Sequence, residues 1–458
     1  MKKVIVTALI GALTASLFLS GCGAGSRGLE MESTVYGMTQ EEVMSSLDGE
    51  GENYYWNFSS SLFKKSYLDE KQEGSLLISP LSVYYALAML SNGADEMTRC
   101  QLLDTLAYGE STGAITCGTS TTGEGDIYDE IQENLNTYLR GYLNLTSISE
   151  KETQAVIKEM KDFYKGVNPT LMKIANSIWI KNDPALKVEE DFLKINSSNY
   201  DAGIQTINFD SKAAKTISKW IEDHTGGTIK DMIKKVPDEA IMYLVNALSF
   251  EGDWISPFED YQIQPGDFYG LNETKEVDFM TQQESTYLEG DNCTGFVKPY
   301  IGGEYAFVGI LPNEGISIEE FVEGMSSDEL KNLMSTPIYH DVIVTIPKFE
   351  TESSMSLKET LDAMGVTAAF DSKEARFNKL GTYKDGNIYV GDVMHNTYIS
   401  VHEKGTKAGA ATVVEMLAES AAMDVEPPKY VTLNRPFFYM LMDINENIPV
   451  FMGVIEDL

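Results

Sequence analysis

The chain is 458 residues long and 43% apolar, enough to bury a large core, which excludes a disordered tail or a small disulfide scaffold. Its formal charge of -35 leaves no basic surface for phosphate backbones and repels anionic lipid, so no nucleic-acid partner is expected.

At the N-terminus, Lys2 and Lys3 precede an apolar run over 4–19 that is too short for a membrane span and reads as a targeting signal. The run closes in Leu19-Ser20-Gly21-Cys22, which resembles a bacterial lipobox and makes Cys22 the expected lipidated first residue of the mature chain. An ordinary signal peptide cut nearby is the alternative. Residues 1–21 are expected to be removed, and any membrane attachment to run through Cys22 alone. The protein is then extracytoplasmic, lipid-anchored to a bacterial cell surface or secreted. Cys100, Cys117 and Cys293 are far apart with no Cys-x-x-Cys spacing. They allow at most one bridge, offer no zinc site, and read as small core or surface residues.

Residues 22–50, rich in Gly, Ser, Glu and Met without a sustained period, read as a flexible acidic tether to a domain over 51–458. From Trp56 a helical face carries Phe58, Leu62 and Phe63. A second helix follows Ser79-Pro80-Leu81-Ser82, carries Val83, Tyr84, Leu87 and Leu90, and ends near Asn92-Gly93. Residues 109–125 read as a surface loop, and 108–165 as a region that holds an insertion. Strands are expected at 177–180, 241–250, 342–346, 437–442 and 450–454, and helices at 213–223 and 356–364. Strands and helices intermix without a regular repeat, which points to an α+β fold.

Catalytic constellations are absent from the sequence. The histidines His224, His340, His395 and His402 form no His-Glu-x-x-His pair, and there is no Gly-x-Ser-x-Gly elbow or phosphate loop. Ser61-Leu62-Phe63-Lys64 fits Ser-x-x-Lys, but its partner motif Lys-Thr-Gly appears in the wrong order as Lys404-Gly405-Thr406. Ser61 and Lys64 read as the wet side of the first helix. No enzyme activity, metal or cofactor is expected.

A different set of motifs is specific when taken together. The stretch Val401-His402-Glu403-Lys404-Gly405-Thr406-Lys407-Ala408-Gly409-Ala410-Ala411-Thr412 closely resembles the hinge of the inhibitory serpins. Leu77-Ile78-Ser79-Pro80-Leu81-Ser82, Asn176 with Trp179, Trp220 with Thr225 and Gly226, and the run from Asn246 through Phe250 to Trp254 continue the match. Pro347-Lys348-Phe349, Asn434-Arg435-Pro436-Phe437 and Phe451-Met452-Gly453 complete it, over about 53–458. The resemblance implies an α+β fold of about nine helices around three β-sheets, with an exposed reactive-centre loop at about 403–431. It further implies a monomeric inhibitor cut by a serine protease, which it traps as an acyl-enzyme while the loop inserts into a sheet. Insertion of about fifteen residues at roughly 3.3 Å each carries the protease on the order of 50 Å. Carried over by motif, Ser79, Ser82, Asn246 and His395 form a polar shutter under the opening strands, and Trp254 marks the breach where insertion starts. A non-inhibitory serpin acting as a binding or carrier protein is the alternative.

The hinge residues support inhibition by their own chemistry. Strand alternation puts Thr406, Ala408, Ala410, Thr412, Val414 and Met416 on one face, all uncharged and small at the leading end. Lys407, Gly409, Ala411, Val413, Glu415 and Leu417 take the other, so the segment can enter a sheet without burying a charge. With the spacing from hinge to cleavage that the resemblance implies, counted from Glu403, the reactive bond falls at Glu419-Ser420, with Ala418, Ala421 and Met423 as alternatives because the loop is longer than the resemblance implies. The small apolar neighbours suit elastase-like or subtilisin-like enzymes.

Overall fold

A computed structural model describes residues 35–69, 75–111, 127–159, 170–225, 227, 229, 233–236, 240–384, 386–406 and 427–458. The signal segment, Cys22, Cys117, residues 112–126, which hold most of the predicted loop, and residues 407–426 lie outside them.

Helix α1 (Gln40–Leu47) falls inside the stretch expected to be a tether, and corrects its boundary. Thr39 and Glu42 form a reciprocal capping box, and Val43 and Leu47, one turn apart, are buried. Val35 is also buried, with its carbonyl accepting from the Asn144 side chain. Folded structure therefore begins before residue 51. Helix α2 (Gly51–Asp69) buries Trp56, Phe58, Leu62 and Phe63 as their spacing predicts. Helix α3 (Pro80–Ser91) is capped by the Ser79 hydroxyl with Pro80 in its first turn, and its residues are buried on nearly every side. Helix α4 (Glu96–Tyr108) follows. Helix α5 (Ile127–Glu159) occupies most of the region read as an insertion.

Ten α-helices and three sheets are present among the described residues, an α+β arrangement close to the one expected. The nine-stranded sheet includes Phe437–Asp443 and Ile448–Ile455, both buried on two faces and accordingly apolar throughout. A short sheet pairs Gly381–Tyr383 with Leu186–Val188.

The six-stranded sheet positions the site. Its strands are β1 (Leu171–Lys181), β2 (Gly203–Ile207), β3 (Met242–Asp253), β4 (Phe349–Ser356), β5 (Met394–His402) and β6 (Gly405–Thr406). Their order across the sheet is β4, β5, β6, β3, β1, β2. On β4 and β5 every second residue is buried, so Thr351, Ser353 and Met355 face inward beside His395, Thr397, Ile399 and Val401. The helix Ala213–His224 covers part of this sheet, packing Ile217 and Ile221 with Trp179, Val245 and Ala247.

Cys100 is disulfide-bonded, the single bridge that the sequence allows, rather than only a small core or surface residue. Cys293 is a buried free thiol, pushed up to about 11 by burial. Among the described residues no helix is long and apolar enough to cross a membrane.

Candidate functional site

Strand β5 ends at His402, the chain turns at Glu403 and Lys404, and β6 runs back antiparallel to β5, where Thr406 pairs with Val401 and Gly405 with His402. On its other edge β6 is antiparallel to β3, with Gly405 opposite Asp253 and Thr406 opposite Gly252. Among the described residues no ladder joins β3 to β5 directly, so these two residues are the wedge between them. Gly405 is required here by close approach. A Cβ at this position would overlap the carbonyl oxygen of Gly252.

The wedge is received by a dense set of contacts around Trp254, the predicted breach residue. Its Nε1 donates to the His402 carbonyl at 2.9 Å, and its backbone N–H to the Lys404 carbonyl at 2.8 Å. The Phe258 N–H donates to the Glu403 carbonyl at 2.8 Å. The Trp254 indole stacks on Tyr300 with centroids 4.3 Å apart, and the Tyr300 and Thr406 hydroxyls lie 2.5 Å apart in a buried setting. Glu403 pairs with Lys348 at 3.0 Å, both partners about a third exposed. Burial, the largest single influence, pushes the Glu403 carboxyl up, but the hydrogen bond to Lys348, a backbone hydrogen bond and the charges of Lys348 and His402 together outweigh it and hold it below the usual range.

Deeper in the sheet lies the polar group expected as the shutter. The Ser79 N–H donates to His395 Nε2 at 3.0 Å, and the Ser79 hydroxyl donates to the Val450 carbonyl at 3.0 Å. The Ser82 N–H donates to the Ser79 hydroxyl at 3.3 Å as the helix cap. His395 is fully buried, and desolvation lowers its pKa to about 4, consistent with Nε2 acting as an acceptor. Asn246 stands apart from this group. Its Nδ2 donates to Asn176 Oδ1 at 2.6 Å, while its own Oδ1 is buried without a partner among the described residues.

The sequence expectations pass over three contributors. The Thr397 hydroxyl donates to the Leu77 carbonyl at 2.8 Å, and the Ser353 hydroxyl accepts from the Leu77 N–H at 2.9 Å. With Tyr300 they tie the sheet to the strand before α3 and to the wedge. Inward alternation on β4 and β5 is the signal that marks Ser353 and Thr397. No local pattern marks Tyr300. Ser61 and Lys64 lie half-buried on α2, where Lys64 donates to the Glu323 carbonyl. Ala408, Gly409, Ala410, Ala411 and Thr412 of the hinge, and Ala418, Glu419, Ser420, Ala421 and Met423 at the reactive bond, fall outside the described residues. Glu403, Gly405 and Thr406 are inside them.

Comparison with known proteins agrees with this geometry. The family described as serpin (serine protease inhibitor) matches residues 53–458. The plasma serine protease inhibitor of Bos taurus is 28% identical over 385 residues, covering 83% of this chain and 84% of that protein. The crystal structure of the thermophilic serpin tengpin in the native state superposes with a TM-score of 0.73 at 33% identity, covering 92% of this chain and 95% of tengpin. A thyroxine-binding globulin complexed with thyroxine, at 22% identity and a TM-score of 0.67 over 89% of this chain and 98% of that one, shares the fold. The chain belongs to the serpin family.

Proposed function

We propose that the protein is an extracytoplasmic inhibitor of serine proteases, acting as a suicide substrate whose loop over about 403–431 is cut and then inserted between β3 and β5. The observation that carries this reading is the double pairing of Gly405 and Thr406. Continued in the same two registers, Ala408 meets Phe250 and Ile399, Ala410 meets Leu248 and Thr397, and Thr412 arrives between Asn246 and His395. The face that would turn inward with the buried Thr406 is the small, uncharged face of the hinge. At its sixth residue beyond Thr406 it would bring a hydroxyl to the Asn246 oxygen that has no partner.

In this reading the protease serine attacks the carbonyl at Glu419, or at a neighbour such as Ala418, Ala421 or Met423, and expels the amine of the following residue. The loop inserts before water can hydrolyse the ester. No side chain of the inhibitor supplies chemistry. The small apolar residues around the bond favour elastase-like and subtilisin-like targets, and lipid on Cys22 would hold the inhibitor at a bacterial surface.

The test is incubation of the full chain with elastase, subtilisin, trypsin and chymotrypsin, followed by denaturing electrophoresis and sequencing of the released peptide. A covalent complex stable to SDS is expected with at least one of the first two. Cleavage by all of them without a complex, and with no gain in heat stability of the cut form, would move the assignment to a binding or carrier role.

A further inference from the structure

Beneath the turn that receives the hinge lies a buried ion pair that none of the motifs includes. The Lys298 side chain is 1% exposed, and its Nζ lies 2.7 Å from the carboxylate of Glu284, itself 10% exposed. The same ammonium donates to the Ser256 carbonyl at 2.9 Å and sits over the rings of Phe258 and Trp254 at 4.4 and 5.2 Å. Gln282 Nε2 donates to that carbonyl as well, at 3.0 Å. Desolvation of two charges consumes most of their attraction, so a buried pair is a poor source of stability compared with apolar side chains of the same volume. What such a pair does supply is a fixed direction, here aimed at one carbonyl and two aromatic faces.

The opposite side of this turn holds the reactive segment. Trp254 and Phe258, whose rings cover the ammonium, are the residues that donate to the carbonyls of His402, Glu403 and Lys404 just before Gly405. We infer that Lys298 is a positioning residue for the reactive segment: by fixing the 254–258 turn through Ser256 and the two rings, it holds residues 402–404 so that β6 enters the sheet in register. The placement stands on geometry alone, and its consequence for insertion rests on the inhibitory reading.

The test measures amide hydrogen exchange and protease trapping on the full chain. The double variant Lys298→Met with Glu284→Leu removes the pair without stranding a charge, and Lys298→Arg keeps it. In the double variant the amides of Trp254 and Phe258 should exchange about tenfold faster or more, while strands over 437–455 keep their protection and Lys298→Arg stays near wild type. The same variant should divert a several-fold larger share of protease encounters to simple cleavage. If it does not fold, Gln282→Met decides through the same two amides, by a smaller acceleration. Unchanged exchange at Trp254 and Phe258, or protection lost equally over 437–455, overturns the positioning role. Absence of any covalent complex with the wild-type chain would instead remove the inhibitory reading, while the exchange result would still decide the role of Lys298.

Discussion

The hydroxyl of Thr406 meets the hydroxyl of Tyr300 at 2.5 Å, and the Tyr300 ring in turn stacks on Trp254, whose indole holds the carbonyl of His402. The first inward side chain of the hinge is therefore already seated in the sheet. Thr406→Arg would force a long charged side chain into a site where Thr406 is 2% exposed. Insertion should slow, so that the number of inhibitor molecules cut for each complex formed rises by about tenfold or more. Thr406→Val keeps the shape but leaves the Tyr300 hydroxyl unpartnered, and should lower unfolding stability by about 1–3 kcal/mol with a smaller change in trapping. Urea denaturation and titration of residual protease activity separate the two effects.

The Glu403–Lys348 pair makes a different prediction because it is only partly buried. Solvent screens it, so Glu403→Gln should lower global stability by under about 1 kcal/mol. Charge reversal by Glu403→Lys puts two cations together at the turn before β6. It should loosen the wedge and increase spontaneous association of the protein on warming. The swap Glu403→Lys with Lys348→Glu should restore the wild-type behaviour. Size-exclusion chromatography after graded heating reads this directly, and a swap no better than the single reversal would show that the ion pair is not the cause.

The parts legible in sequence are those written in local chemistry. Ser79-Pro80 announces α3 because a hydroxyl cap and a proline serve only a helix start, and the structure places both as read. The alternation of small residues after Glu403 predicts a strand with an uncharged inward face, and Thr406, its described member, is buried on that face. Helix α1 escapes the same treatment because its acidic composition hides two buried apolar residues behind a capping box. Tyr300 and Thr406 are 106 residues apart, and their contact exists only once the nine-stranded sheet stands over the six-stranded one. Ser353 and Thr397 share the inward face that alternation marks on their strands, but their partner, the backbone of Leu77, lies hundreds of residues away in the chain and is brought to them only by the fold. Lys298 belongs to no motif singled out in the sequence, and only the fold shows that it is enclosed.

Stability should respond to acid through two buried groups that oppose each other. Burial holds His395 near 4, below its ordinary value of about 6.5. Its contribution is present above 6.5 and is lost as pH falls toward 4, because the unfolded chain takes up the proton first. Burial pushes Asp443 the other way, up to about 7, with the Tyr142 hydroxyl donating to it at 2.9 Å. Its contribution is present below the ordinary carboxylate range and is lost as pH rises through about 7. Each is worth on the order of 3 kcal/mol across its window, so between about pH 4 and 6.5 they should largely cancel. His395→Gln leaves Asp443 unopposed, and the variant should gain stability relative to wild type as pH falls through that window. Asp443→Asn should lose it. Parallel curves for His395→Gln and wild type in urea denaturation at pH 4.5, 5.5 and 6.5 would sink the assignment of a neutral buried imidazole, the spacing being about one pH step each.

The inserted state makes a prediction that the uncut state does not share. On the proposed mechanism, continuing the register set by Gly405 and Thr406 would bring Thr412 to the level of Asn246 on β3 and His395 on β5 once the loop is cut and drawn in. Asn246 Oδ1 waits there without a partner, and a threonine hydroxyl is a donor of the right size for a buried acceptor. Thr412→Val should therefore leave the uncut protein as stable as wild type and lower the stability of the cleaved form by about 1–3 kcal/mol. Asn246→Ala removes the bond to Asn176 in both forms, and should cost the cleaved form more than the uncut one by a similar amount. In the double variant the two losses should overlap rather than add, since each removes the same hydrogen bond. The measurement is guanidinium unfolding of cut and uncut protein for all four members of this cycle. Additive losses in the cleaved form, or a loss of equal size for Thr412→Val in the uncut chain, would place Thr412 elsewhere than between Asn246 and His395 and would refute continuation of the β6 register.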